Sequence, residues 1–189
     1  MKNKVIILVF SLMGIASLVF AQTPLQESAT ITKSNADEQT GYFIHKSGIF
    51  KIKSPEGYKQ GMHSDKEIEF GDEVNHSFFI ISFSDSSQEG NDSELLERFN
   101  DKTFLSSTMK GLEDGSGMTV TANRERKVNG MPAWEFTLKM DSNYGPFMGK
   151  NIVLYKNKRE FLIQFGILKK DWDSKAEVIE ESLATFEVL

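Results

Sequence analysis

The densest group of residues capable of metal or acid–base chemistry lies between His63 and His76. Five acidic residues separate these two histidines. Imidazole and carboxylate oxygen both bind zinc and other divalent metals. The spacing matches no compact metal motif, however, and the alternation of Glu67 and Glu69 with apolar neighbours is typical of the solvent face of a strand. We therefore predict no metal site, and keep a divalent-metal-binding protein as the weaker alternative.

Catalytic sets are missing from the sequence. A hydrolase needs a nucleophile, a base and an orienting acid, and no Gly-x-Ser-x-Gly motif is present. Gly115-Ser116-Gly117 is typical of a flexible connector, and His45, beside an expected strand, is expected at the surface. The chain also has no cysteine, which excludes thiol catalysis and cysteine-ligated metals. We predict a non-enzymatic protein with no catalytic residue and no cofactor.

Three large apolar side chains lie in a segment interrupted by glycine and proline, at residues 144–149. Tyr144, Phe147 and Met148 lie beside Gly145 and Pro146 in an expected loop. Exposed there, they could anchor a protein partner or an apolar ligand. The alternative is a loop that folds back over the core.

A small basic patch stands out on an otherwise acidic chain. Arg124, Arg126 and Lys127 lie just before an Asn129-Gly130 turn. Such a patch is more often a solvated strand face, although it could also contact an acidic partner.

The elements that must position these residues are mainly strands. Residues 48–53 and 66–70 alternate between apolar and polar side chains, which predicts half-exposed strands. Residues 78–83 are apolar on both faces, which predicts a central strand covered on both sides. Two long hairpins follow, one turning at Asn129-Gly130 and one joining residues 151–155 to 160–168.

Two helices are expected to cover this sheet. The first is expected to be capped by Asp92 or Ser93 and to end at Gly111 or Gly115. The second begins at Ser174, which has the capping-box spacing to Glu177. Strands, a helix, more strands and a final helix predict an α+β domain whose central, mostly antiparallel sheet is sandwiched by helices.

The first 21 residues have the three parts of a secretory signal peptide. Lys2 and Lys4 precede an apolar run, and Val19-Phe20-Ala21 has small residues at the positions that signal peptidase reads. The run is shorter than the roughly 20 residues needed to span a bilayer. We expect cleavage near Ala21 and export to the periplasm or beyond the cell, with no membrane span and, because no cysteine is present, no lipid anchor.

The rest of the chain fits one domain. Residues 22–40 are polar and are expected to form a flexible linker, and residues 41–189 are expected to fold as a single domain. The chain carries 27 acidic and 22 basic residues, and the excess of acids grows when the signal peptide is removed. This sign argues against nucleic acid and anionic lipid as partners. The expected partner is a protein or another envelope component.

Three short segments over residues 42–189 resemble the PsbP-like family, which includes bacterial DcrB-type proteins. They are residues 50–58, with the turn Pro55-Glu56-Gly57-Tyr58, residues 127–134 in the middle hairpin, and residues 182–188 at the end. The resemblance implies helices on both faces of an antiparallel sheet. It also implies an accessory or binding protein with no shared catalytic residues, and a small-ligand carrier with a sheet–helix cavity is the alternative.

Overall fold

The computed structural model describes residues 36–37, 41–86 and 90–189. The predicted signal peptide lies outside these residues, as does the predicted linker except for Ala36–Asp37. In the part of the chain that the structure describes, no helix is long and apolar enough to cross a bilayer.

The strands within the described ranges form two antiparallel sheets. They are β1 (Ala36–Asp37), β2 (Tyr42–Ile44), β3 (Phe50–Lys53), β4 (Lys59–His63), β5 (Glu67–Asp72), β6 (Ser77–Asp85), β7 (Thr119–Val128), β8 (Met131–Ser142), β9 (Gly145–Lys156), β10 (Arg159–Leu168) and β11 (Glu187–Val188). The large sheet has the order β4-β5-β6-β10-β9-β8-β7, and the small sheet has the order β1-β2-β3-β11.

The helices are α1 (Asp92–Glu97), α2 (Lys102–Ser116) and α3 (Trp172–Leu183). The single helix predicted after Asp92 is therefore two helices. The helix is interrupted at Asp101, whose backbone is extended. The Asp101 carboxylate accepts a hydrogen bond from the Phe104 amide at 2.8 Å and so caps the start of α2. The predicted cap of α3 is also wrong, because α3 begins two residues before Ser174 and the Ser174 hydroxyl donates to the Asp171 carbonyl.

Both faces of the large sheet are covered. Helices α1 and α2 pack on one face around Phe99, Trp134 and Phe136. Helix α3 and the small sheet pack on the other face, where Phe50, Phe161 and Phe186 lie in the larger core cluster. The predicted α+β sandwich is confirmed, with the addition that the small sheet shares one face with α3.

A tight turn at Asn129-Gly130 joins β7 to β8. Asn129 and Gly130 have φ values of 44° and 81°, as the predicted type I′ turn requires.

The segment predicted as a loop after Tyr144 is instead the start of β9. Pro146 pairs with Asp141 of β8, whereas pairing with β10 begins only at Phe147. The proline therefore lies outside the doubly paired part of the strand, where it is tolerated.

Candidate binding site

A cleft of about 790 Å³ opens at the end of the large sheet, between the β5–β6 and β8–β9 hairpins. Its apolar walls come from Phe78, Met140, Tyr144 and Phe147. Its polar walls include Glu69 and the backbone and side chains of the two hairpin ends. This volume falls in the range of about 300–1,000 Å³ that binding pockets usually have.

The position of Phe78 depends on a glycine in the neighbouring strand. Gly166 of β10 pairs with Phe78 of β6 and with Gly149 of β9. A Cβ atom on Gly166 would lie only 2.5 Å from the Phe78 ring, so the ring rests directly on the glycine backbone. The absence of a side chain at Gly166 therefore allows Phe78 to lie flat along the sheet beside the cleft.

The rim of the cleft joins the two hairpins. The His76 and Tyr144 rings stack with centroids 4.3 Å apart and an interplanar angle of 19°. The Ser142 hydroxyl donates to the Gly145 carbonyl at 2.7 Å and accepts from the Tyr144 amide at 3.2 Å, which fixes the β8–β9 turn. Tyr144 nevertheless remains 53% exposed, and Val74 in the facing hairpin is 87% exposed. Tyr144 is thus held in place at the rim and open to solvent, and Val74 is a second exposed apolar side chain nearby.

The charged residues that line the cleft are all acidic. They are Glu69, Asp72, Glu73 and Asp141. Burial would raise the pKa of Asp72, but hydrogen bonds from Lys175 and Asn75 hold the pKa of that carboxyl below its usual value. Burial raises the pKa of Glu69, and no basic side chain in the described residues lies within ion-pair distance of it. The cleft thus holds a half-buried carboxylate without a cation.

The three residues predicted for partner binding lie on different faces of the sheet, because side chains alternate along β9. Tyr144 lies on the rim, and Phe147 lines the cleft but is only 4% exposed. Met148, the next residue along β9, points to the opposite face of the sheet because side chains alternate along a strand. Tyr144 is therefore the residue of the three that is exposed beside the cleft, whereas the partly buried Met148 lies on the other face.

Sequence patterns alone do not indicate this site: Glu69 and His76 stand out only as weak metal-ligand candidates, and Phe78 only as part of an apolar strand. These residues follow ordinary strand and turn patterns, and they meet Tyr144 only through pairing with distant strands. One signal was available. Gly166 interrupts the apolar run of β10, and an isolated glycine in a strand often marks a close approach of another group.

The two histidines considered as metal ligands lie at opposite ends of β5. His63 pairs with Ile68, whereas His76 adjoins the Ser77–Asp72 pair. Four residues of strand, about 13 Å, separate these positions, too far for one ion. Within the described ranges, no group of three or more candidate ligands is close enough to hold a metal.

His45 is buried rather than exposed. Its Nδ1 lies 2.6 Å from the Ser47 hydroxyl, and its Nε2 lies 3.2 Å from the Ser64 carbonyl. A carbonyl only accepts hydrogen bonds, so Nε2 carries the proton and Nδ1 accepts. The position that an orienting carboxylate would occupy in a triad is taken by a backbone carbonyl, and the arrangement fits a structural histidine.

Two residues of the predicted basic patch, Arg124 and Arg126, take part in an internal ion-pair network, whereas Lys127 is exposed outside it. Arg126 binds Glu135 at 2.6 Å and Glu180 of α3 at 2.7 Å. Lys150 contacts the same two carboxylates at 3.3 and 2.9 Å, and Arg124 lies 3.0 Å from Glu135. The network fastens α3 to β7, β8 and β9.

Comparisons with known proteins agree with this architecture at the level of the fold. No family model and no curated protein matches the sequence. A crystal structure from Bacteroides thetaiotaomicron aligns with a TM-score of 0.56 at 16% identity, covering 79% of this chain and 48% of that one. The solution structure of cyanobacterial PsbP (CyanoP) from Synechocystis aligns with a TM-score of 0.51 at 13% identity, over 88% of this chain and all of that one.

The domain has a PsbP-like fold. This confirms the architecture that the three sequence segments implied. A Mycobacterium tuberculosis protein described as LpqN, involved in cell envelope biogenesis, also aligns, with a TM-score of 0.49 at 12% identity over 74% of this chain and 82% of that one. The chain spans about half the length of the Bacteroides protein. At these identities the likeness concerns the fold alone.

Proposed function

We propose that this chain is an exported, non-enzymatic accessory protein that binds a protein partner of the cell envelope through the rim of the cleft. The observation that carries the proposal is the exposed Tyr144 side chain, which stacks on His76 and faces a hairpin that carries the exposed Val74. An exposed aromatic side chain beside a cleft is a common anchor in protein interfaces. Export is supported by the tripartite pattern of residues 1–21.

The surface is suited to binding because it is held in place before a partner arrives. The His76–Tyr144 stack and the two hydrogen bonds of Ser142 fix the tip of the β8–β9 hairpin. A side chain that is already ordered loses less conformational entropy on binding, typically about 0.5–1.5 kcal/mol for each immobilised side chain. Tyr144 therefore offers a large contact area at a low entropic cost.

Site-specific photo-crosslinking in the native host tests this proposal. A photoreactive amino acid at position 144 should crosslink a partner, and the same group at Lys156, at the far end of β9, should not. The variant Val74→Ser should weaken the crosslink without changing the melting temperature, since Val74 is almost fully exposed. Equal crosslinking from positions 144 and 156, or none from position 144, would contradict the proposal.

A small-ligand carrier is the second candidate, and the volume of the cleft favours it. The cleft lies between the β5–β6 and β8–β9 hairpins, whereas the predicted cavity lay between sheet and helices. Beneath α1 and α2, the Phe99 and Trp134 rings stack with centroids 5.5 Å apart. Native mass spectrometry of protein purified from its host should show a bound small molecule if the carrier function is the true one.

A further inference from the structure

The charges on the cleft walls indicate the chemistry of its occupant. Among the described residues that line it, four are acidic and none is lysine or arginine. Lys175 already neutralises Asp72, with 2.7 Å between Nζ and Oδ2. Glu69 has no such partner among the described residues. A positively charged group would therefore find an uncompensated carboxylate, whereas an anion would be repelled.

Glu69 lies on the same face of the sheet as Phe78, where it can contact a positively charged group. It pairs with Ile80 across β5 and β6, and Gly71, two residues further along β5, pairs with Phe78. Side chains two residues apart on a strand share a face, so Glu69 and Phe78 lie on the same side of the sheet. The Glu69 carboxyl leans over Gly61 of β4, where a Cβ atom would lie 3.6 Å away.

The other walls suit an apolar chain that carries the charge. Phe78, Met140, Tyr144 and Phe147 provide aromatic and thioether surface. Lysine and arginine bury their methylene stems along such surfaces while the charged end stays near water or a carboxylate, and aromatic faces attract the cation itself. A hydrated divalent ion would instead require several converging oxygen ligands.

We propose that the cleft binds a lysine or arginine side chain of the partner protein, with its stem against Phe78 and Tyr144 and its cationic group beside Glu69. This inference rests on the proposed function, because Tyr144 and Val74 form the surrounding contact surface. The partner segment is thus basic, and its charged residue enters the cleft while its backbone contacts the rim.

The test uses nuclear magnetic resonance of the ¹⁵N-labelled protein with acetylated, amidated tetralysine. The peptide should shift the amide signals of Glu69, Gly71 and Tyr144, whereas an uncharged tetranorleucine peptide of similar length should shift them much less. The titration is done at about 0.15 M salt, where the Debye length of about 8 Å screens general attraction to an acidic protein. Glu69→Gln should weaken tetralysine binding about fivefold, as expected for one partly desolvated ion pair.

Glu67→Gln is the matched control. Glu67 lies on the same face of β5 as Glu69 but does not line the cleft. Its replacement should leave tetralysine binding within about twofold, because the half-buried Glu67 carboxylate lies outside the cleft. Equal losses in the two variants would show that the peptide binds the acidic surface in general, and this would overturn the inference.

The two proposals can fail separately. If position 144 crosslinks a partner and tetralysine causes no shift at Glu69 or Gly71, the binding of a cationic side chain in the cleft is refuted. The proposed partner contact at Tyr144 is then still supported. If tetralysine binds in a Glu69-dependent way and position 144 crosslinks nothing, the cleft chemistry is supported and the proposed function fails.

Discussion

The imidazole rings of His45 and His63 meet edge to face, with centroids 5.0 Å apart. His45 belongs to the segment after β2 of the small sheet, and His63 ends β4 of the large sheet. The pair therefore bridges the two sheets at one end. His45 is 1% exposed, and His63 accepts a hydrogen bond from the Lys46 amide at 3.4 Å. Both rings are held in their neutral form by these surroundings.

This pair predicts a loss of stability in mild acid. Burial, with a smaller contribution from His63, lowers the pKa of His45 to about 4, and burial and Lys46 lower the pKa of His63. Asp65 opposes these effects but is paired with Lys46. A lowered pKa means that the unfolded chain binds protons first, so stability is lost as pH falls below about 6.5. Urea unfolding should show about 1–2 kcal/mol less stability at pH 5 than at pH 7.

His45→Gln should flatten this pH dependence, and His76→Gln, which replaces the exposed third histidine, should not. The comparison stays above about pH 5, because the carboxylates with lowered pKa values begin to lose their contribution below that point. A wild-type slope that survives in His45→Gln would refute the assignment.

Glu135 should be among the acidic residues most important for stability. It is 2% exposed and contacts Arg124, Arg126 and Lys150. Although burial alone would raise the pKa of Glu135, these cations hold it below its usual value. Glu135→Gln keeps the shape but leaves two largely buried cations with only Glu180, and should cost about 3 kcal/mol in urea unfolding. The exposed neighbour Glu125→Gln should cost less than about 0.5 kcal/mol.

A double-mutant cycle tests the contact between Phe78 and Gly166. Gly166→Ala should cost about 1–3 kcal/mol, since the added methyl group would overlap the Phe78 ring. The cost should shrink in a Phe78→Ala background, where the ring is gone. Gly71→Ala is the control, because its nearest neighbour would be the Ser77 carbonyl at 3.9 Å. Additive free energies of unfolding in the cycle would mean that the two residues do not interact.

Helix capping gives a prediction in which structure and sequence pattern disagree. The Asn91 side chain accepts hydrogen bonds from the Ser93 and Glu94 amides at 3.1 and 3.0 Å, while the Glu94 carboxylate accepts from the Asn91 amide. Asn91→Ala should therefore cost about 1 kcal/mol in thermal or urea unfolding. Ser174→Ala should change stability by less than about 0.5 kcal/mol, because Ser174 caps no amide. A larger loss of stability in Ser174→Ala than in Asn91→Ala would instead support the capping box predicted at Ser174.

Local patterns predicted the large sheet well because its strands are long. Alternation identified β5 and β8, and the apolar run of β6 indicated a strand covered on both faces. Alternation also identified β3, but it could not reveal the small sheet to which β3 belongs. Its strand β11 has two residues, too few for any period, and it pairs with β3 from the other end of the chain. The cleft could not be predicted from local patterns either, because His76 and Tyr144 are far apart in the sequence and meet only after the sheet has formed.

The three segments that carried the family resemblance meet in the structure. Ser182 donates to the Lys53 carbonyl at 2.5 Å, and the Thr185 hydroxyl accepts from the Lys53 amide at 2.8 Å. Asn129 of the middle hairpin donates to the Phe186 carbonyl at 3.0 Å. Segments that were weakly specific one by one thus form a single contact region around the C-terminal strand.

The pairing of β3 with β11 sets the order in which the chain can finish folding. Phe50 is fully enclosed, and its neighbours include Phe186, with ring centroids 5.5 Å apart. The Leu189 amide also donates to the Ile49 carbonyl at 2.8 Å. A growing polypeptide therefore cannot complete the packing around Phe50 until residues 186–189 have emerged from the ribosome. Until then one edge of β3 lacks its partner strand, and the small sheet is a late product of folding.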